Sequence, residues 1–125
     1  MTVVLIVEDN PRNLKLVRDI LAHAGYGTLE ATTAEDGLAL AHAEQPELVL
    51  MDVQLPGMDG VEALARLRAD PATSGIAVVA LTAFAMKADR DRFAAAGFDG
   101  YLEKPIDVRE FPGQVAELLA QAARA

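Results

Sequence analysis

Leu48-Val49-Leu50-Met51-Asp52-Val53-Gln54-Leu55-Pro56-Gly57-Met58-Asp59-Gly60 is the stretch on which the fold turns. Four apolar residues in a row suit a strand covered on both faces, because a half-exposed strand would alternate apolar and polar side chains. The run stops at Asp52, Pro56-Gly57 marks a turn, and Asp59-Gly60 opens a segment of helical period that runs to about Ala69. Strand, turn and helix in this order form one repeat of a parallel α/β layer.

Outward from that stretch the pattern recurs. Strand-length runs at Val3 to Val7, Gly27 to Ala31, Leu48 to Met51, Ala77 to Leu81 and Gly100 to Glu103 alternate with helical segments five times. This predicts a (βα)5 α/β fold with a five-stranded parallel sheet. The first, third and fourth runs are apolar throughout and read as central strands. The second and fifth are more polar and read as edges.

The helices announce their starts. Asn10-Pro11 sets a capping side chain before a proline whose missing N–H costs nothing at the first helical position. Thr33 to Asp36 gives a second cap, and a fourth helix is predicted from about Met86 to Ala96, stopped by Gly97. On the first helix Leu16, Val17, Ile20, Leu21 and Ala24 share the core arc, with Leu14 at its edge. In the last helix Asp107 and Glu110 resemble a capping box, yet Pro112 would break a helix begun there. The expectation is a later start, near Pro112, or a kinked first turn.

Composition narrows the function. A chain of 125 residues that is 52% hydrophobic has room for one domain with a real core, and none for an output domain. With no cysteine, a disulfide framework and thiolate zinc sites are excluded. A net charge of −8 argues against a nucleic-acid partner, since a phosphate backbone is bound by clustered Lys and Arg. The charge is uneven: residues 1–60 hold ten acids against three bases, residues 61–125 nine against eight. The N-terminal apolar run is too short for a signal peptide or a membrane span, which reads as a soluble, cytoplasmic protein with no membrane partner.

In open α/β sheets ligands bind beyond the carboxyl ends of the strands. There the sequence delivers Glu8 and Asp9 after the first strand, Asp52 after the third, Thr82 after the fourth and Lys104 after the fifth. Three converging carboxylates repel unless a cation joins them, and an all-oxygen set with room for water suits Mg²⁺. Asp52, on the central strand, is placed to act as a nucleophile toward an anionic phosphoryl group, with Lys104 pairing its oxygens and Thr82 donating a hydrogen bond. Other residues read more plainly. His23 and His42 are surface residues, Gly57 to Gly60 is a turn and not a nucleotide loop, and Phe93 and Phe98 belong to the core. Phe84 and Met86, in the loop after Thr82, mark a contact surface if exposed.

Four blocks, Leu5-Ile-Val-Glu-Asp9, Leu50-Met-Asp-Val-Gln-Leu-Pro-Gly-Met-Asp-Gly60, Leu81-Thr-Ala83 and Lys104-Pro105, fall in order at the strand ends. Through them the whole chain resembles the receiver domains of two-component signalling, with the CheY-like, flavodoxin-type doubly wound fold. The resemblance implies strand order 2-1-3-4-5, Asp52 as phosphoacceptor, and Glu8 and Asp9 around Mg²⁺ with the backbone carbonyl of Gln54. It implies Thr82 and Lys104 on the phosphoryl group, a cis Lys104-Pro105 peptide, and Tyr101 as an aromatic switch that turns inward as Thr82 moves. Glu8 stands where aspartate is commonest in that family; its longer arm is expected to reach the metal through water.

The segments Glu8-Asp-Asn-Pro-Arg-Asn13 and Thr82-Ala-Phe-Ala-Met-Lys87 look most like DivK-like single-domain regulators and the receivers of hybrid histidine kinases. The partners so implied are a histidine kinase or a histidine phosphotransfer protein, docked near Asn13 and Leu14. A downstream target would bind the face of the fourth helix, fifth strand and fifth helix. Two alternatives stand beside a stand-alone switch: a receiver excised from a hybrid kinase, and a phosphorylation-independent adaptor. A Mg²⁺-dependent phosphohydrolase is a third alternative, against which stands the lack of a cap domain and of a second acid placed as proton donor. The expectation is a switch, not a turnover enzyme.

Overall fold

A computed structural model describes residues 1–83 and 86–124. Its elements follow the order β1 (Val3–Val7), α1 (Pro11–His23), β2 (Gly27–Ala31), α2 (Ala34–Glu44), β3 (Leu48–Asp52), α3 (Gly60–Ala69), β4 (Ala77–Thr82), α4 (Lys87–Ala96), β5 (Gly100–Glu103) and α5 (Phe111–Arg124). All strand pairs are parallel, in the order β2-β1-β3-β4-β5, so the two more polar strands form the edges. Each apolar run buries both its faces because helices cover the sheet on two sides. Alternate residues Val4, Ile6, Leu48, Leu50, Val79 and Leu81 meet α1 and α5, while Leu5, Val7, Val49, Met51, Val78 and Ala80 meet α2, α3 and α4.

The caps act as the sequence indicates. Asn10 accepts from the N–H groups of Arg12 and Asn13, Thr33 from Asp36, and Asp59 from Glu62. Met86 precedes α4 without a side-chain cap bond. Gly97, at φ 108°, ends α4 in a left-handed turn. Gln45 ends α2 at φ 51°, a conformation that favours Gly or Asn.

Of two helix details, the late start of α5 is as expected and the buried face of α1 differs in part. Asp107 accepts from the N–H groups of Arg109 and Glu110, forming a turn of its own, and α5 begins only at Phe111. Pro112 therefore falls in the first helical turn, where its missing donor breaks no bond. On α1 the buried residues are Leu14, Val17, Ile20 and Leu21, whereas Ala24 is the exposed C-cap. Leu14 is only 9% exposed, packed in the cluster beneath α1. This placement takes Leu14 out of the partner-docking surface assigned to it from the sequence, because the apolar arc of α1 turns it toward the sheet.

Candidate functional site

Each site residue either ends a strand, as Asp52 and Thr82 do, or follows within two residues of its end, as Glu8, Asp9 and Lys104 do. The Glu8 N–H donates to the Ala31 carbonyl at 3.0 Å, so β1 is held against β2 up to the residue that carries the first acid. Asp52 closes β3 opposite Leu81, and the next N–H, of Val53, donates to the Leu81 carbonyl at 3.1 Å. The Lys104 N–H donates to Thr82 O at 2.8 Å, and the Lys104-Pro105 peptide is cis. The strands thus deliver their end residues to a common cleft of about 230 Å³ lined by Glu8, Asp9, Asn10, Asn13, Asp52, Gln54, Thr82, Ala83 and Lys104.

Inside the cleft the charges are mutually engaged. Lys104 Nζ lies 2.9 Å from Asp52 Oδ2, with hydrogen-bond geometry, and 2.7 Å from Glu8 Oε2. Asp52 Oδ1 accepts from the Gln54 N–H at 2.9 Å, and Glu8 Oε1 from the Asn10 N–H at 3.1 Å. Glu8 and Asp52 are buried, at 1% and 4% exposure. Burial pushes the Glu8 carboxyl above its ordinary pKa; Lys104 offsets this in part and the Asp52 charge adds to it. Burial also works against the Lys104 ammonium, but its two carboxylate partners outweigh that and hold its pKa above the usual lysine value.

The loop after Asp52 owes its path to Gly60. A Cβ there would stand 2.5 Å from the Asp52 carbonyl oxygen and 2.8 Å from Val53 Cα. Only glycine lets the first turn of α3 press this close, with its N–H donating to Val53 O at 3.1 Å. Gly57 takes φ 75° in the same loop. Of the two glycines expected only to shape a turn, Gly60 therefore also lets α3 lie directly against the backbone of the phosphoacceptor candidate.

The donor set fits a hard divalent cation. Oxygens of Glu8, Asp9 and Asp52 all lie within 4.8 Å of one another. Glu8 Oε2 is buried with no hydrogen bond among the described residues, and the Lys104 ammonium stands 2.7 Å away as its counter-charge. A buried carboxylate oxygen in that condition is costly unless a charge compensates it. All-oxygen ligation at an open cleft is the chemistry that suits Mg²⁺.

The remaining sequence candidates distribute around this cleft. Thr82, 2% exposed, lines it, as do Asn13 and Gln54. Tyr101 is half-buried on β5, and its hydroxyl accepts from Arg90 Nη1 at 3.1 Å. Met86 is 77% exposed at the start of α4, consistent with a contact surface. Phe84 lies outside the described residues. His23 and His42 are exposed, His42 pairing with Asp70, and Phe93 and Phe98 are core residues in edge-to-face contact. Sequence reasoning missed the Arg90–Tyr101 contact. Nothing in the spacing of a helix residue and a strand residue eleven positions on reveals it.

Comparison with known proteins agrees with this geometry. Residues 4–116 match the family of response regulator receiver domains. The chain is 41% identical over 119 residues to the polar-differentiation response regulator DivK of Brucella ovis and of Brucella melitensis biotype 1, covering 95% of this chain and 97% of each relative. A putative response regulator from Chloroflexus aurantiacus J-10-fl superposes with a TM-score of 0.88 at 30% identity, over 95% of this chain and 98% of that one. The receiver domain of a sensor histidine kinase from Pseudomonas aeruginosa PAO1, with a magnesium ion coordinated in its active-site cleft, superposes with a TM-score of 0.86 at 29% identity over 95% and 98%. Among the described residues no helix is long and apolar enough to cross a membrane.

Proposed function

Because the chain belongs to the response regulator receiver family and is DivK-like, we propose that it is a phosphorylation-controlled switch acting in the cytoplasm, with Asp52 as its phosphoacceptor. The observation that carries this reading is the buried Asp52 carboxylate, its Oδ2 paired with Lys104 at 2.9 Å and its Oδ1 fixed by the Gln54 N–H. The alignment covers 97% of the DivK relative's length, and on that likeness we read the output as a protein contact and not an activity of the chain itself.

The donor is a phosphohistidine on a kinase or phosphotransfer protein. An Asp52 oxygen forms the new bond to phosphorus as the phosphorus–nitrogen bond breaks, its electron pair leaving with the imidazole, which takes up a proton. Asn13, at the mouth of the cleft on α1, is placed to meet the donor. Lys104 transfers its ammonium from Asp52 to the arriving phosphoryl oxygens, so the charge stays paired throughout. Thr82 donates its hydroxyl proton to one of those oxygens, and Tyr101 follows its movement. Glu8, Asp9, Asp52 and the Gln54 carbonyl would hold Mg²⁺, which when bound supplies neutralising charge for the transferring group.

Incubation with Mg²⁺ and acetyl phosphate, followed by intact mass measurement, tests the reading. One phosphoryl adduct is expected, lost in Asp52→Ala and on chelation of the metal. No adduct, or one that survives Asp52→Ala, overturns it. Steady phosphate release from many equivalents of a phosphoester would instead indicate a turnover enzyme.

A further inference from the structure

We propose that Arg90 is a positioning residue that clasps Tyr101 in its outward position, keeping the surface around β5 divided into two clefts until the switch is thrown; the inference rests on the phospho-switch reading above. Arg90 Nη1 donates to the Tyr101 hydroxyl at 3.1 Å, and its guanidinium carbon lies 5.8 Å from the centre of the same ring. One side chain thus holds both the polar tip and the face of the aromatic group. Arg90 is exposed on α4 and Tyr101 half-buried on β5, so the clasp joins the helix that follows Thr82 to the sheet edge.

Among the described residues, Tyr101 is also the one that borders both neighbouring clefts. A cleft of about 390 Å³ lies between α4 and β5, walled by Phe93, Phe98 and Arg90. A second, of about 640 Å³, lies between β5 and α5, walled by Glu103, Asp107, Glu110, Glu117 and Leu118. Inward rotation of the ring removes the ridge between them and frees the Arg90 guanidinium at one end of a groove whose other end is acidic. Inward rotation must first break both contacts to Arg90, so the clasp biases the resting protein toward the divided surface.

The chain has two tyrosines and no tryptophan, so in a Tyr26→Phe background tyrosine fluorescence reports Tyr101 alone. In that background, Arg90→Ala is expected to lower acrylamide quenching of Tyr101 in the unphosphorylated protein by about half and to raise the rate of acetyl-phosphate labelling at least twofold. Arg90→Lys, which keeps the charge but not the planar fork, should fall between the two. With Tyr101→Ala present, Arg90→Ala should leave the labelling rate unchanged. Unchanged or increased quenching in Arg90→Ala overturns the clasp, as does an Arg90→Ala rate effect that persists without Tyr101. If no variant is labelled at Asp52, the phospho-switch reading fails, and the quenching comparison still decides whether Arg90 positions the ring.

Discussion

Lys104 Nζ lies 2.7 Å from Glu8 Oε2, a buried carboxylate oxygen that no hydrogen bond satisfies. The same ammonium reaches Asp52 at 2.9 Å, so one protein cation is shared by two of the three acids. Lys104→Met should lower stability without metal by about 2 kcal/mol, between the cost of breaking an exposed pair and a fully buried one. Mg²⁺ should then raise the melting temperature of the variant more than that of the wild type. An equal rise in both would show that Lys104 does not compete for this charge.

The same pair sets an alkaline limit. A lysine whose folded pKa is raised contributes stability that is fully present below its unfolded pKa and lost as pH rises through the folded one. Lys104 is raised above 10.5. Denaturant titrations should therefore show a constant gap between wild type and Lys104→Met across neutral and mildly alkaline pH, closing only above about 10.4. A gap that closes near neutrality would contradict the pairing.

Gly60 and Gly113 predict opposite signs for one substitution. Gly60→Ala drives a Cβ into the Asp52 carbonyl, while at Gly113, inside α5, a Cβ meets nothing within 4 Å. Urea unfolding should show Gly60→Ala destabilised by about 2 kcal/mol and Gly113→Ala stabilised by about 0.5 kcal/mol. Gly60→Ala should also slow labelling of Asp52, since the shift falls on that residue's own backbone.

Arg68 ties three segments at the end of the sheet away from the cleft. It donates to the carbonyls of Ser74, Ile76 and Gly97 and to the Asp99 carboxylate, which also accepts from the Val78 N–H. Arg68→Ala and Asp99→Ala should each destabilise, with a coupling of about 1 kcal/mol in a double-mutant cycle. Strict additivity would remove Asp99 from the network.

His42 holds the Asp70 carboxyl below its ordinary pKa through a 2.7 Å hydrogen bond between α2 and the loop after α3. A depressed carboxyl contributes stability above its unfolded pKa, lost as pH falls through the lower folded value. His42→Ala should thus be slightly less stable than wild type at pH 5, with the difference vanishing in thermal melts below the carboxylate range. The pair is exposed, so the gap is small.

Much of this was legible because it depends on local chemistry. Unbroken apolar runs mark the central strands β1, β3 and β4, and short polar side chains before Pro11, Ala34 and Gly60 mark the caps. The cleft was legible because Glu8, Asp9, Asp52, Thr82 and Lys104 each end a strand, and parallel strands end together. Less visible were features that depend on close approach between distant residues. Leu14 read as an arc-edge residue, yet it packs in the cluster between α1 and the sheet. The close approach at Gly60 that leaves no room for a Cβ, the Arg68 network and the Arg90–Tyr101 contact arise only when loops and helices meet in the folded chain.

Three helices begin at the rim of the cleft, and they do not begin alike. Asn10 and Asp59 tie down the first turns of α1 and α3 with side-chain bonds, while Met86 gives α4 none. The backbone of Glu8, Val53 and Lys104 is likewise locked to neighbouring strands. Any strain that a new negative charge creates in this socket meets stiff walls on the β1 and β3 sides. Among the described residues the first turn of α4 is the wall without a side-chain cap bond, so mechanical work done at a phosphorylated Asp52 would exit along that helix.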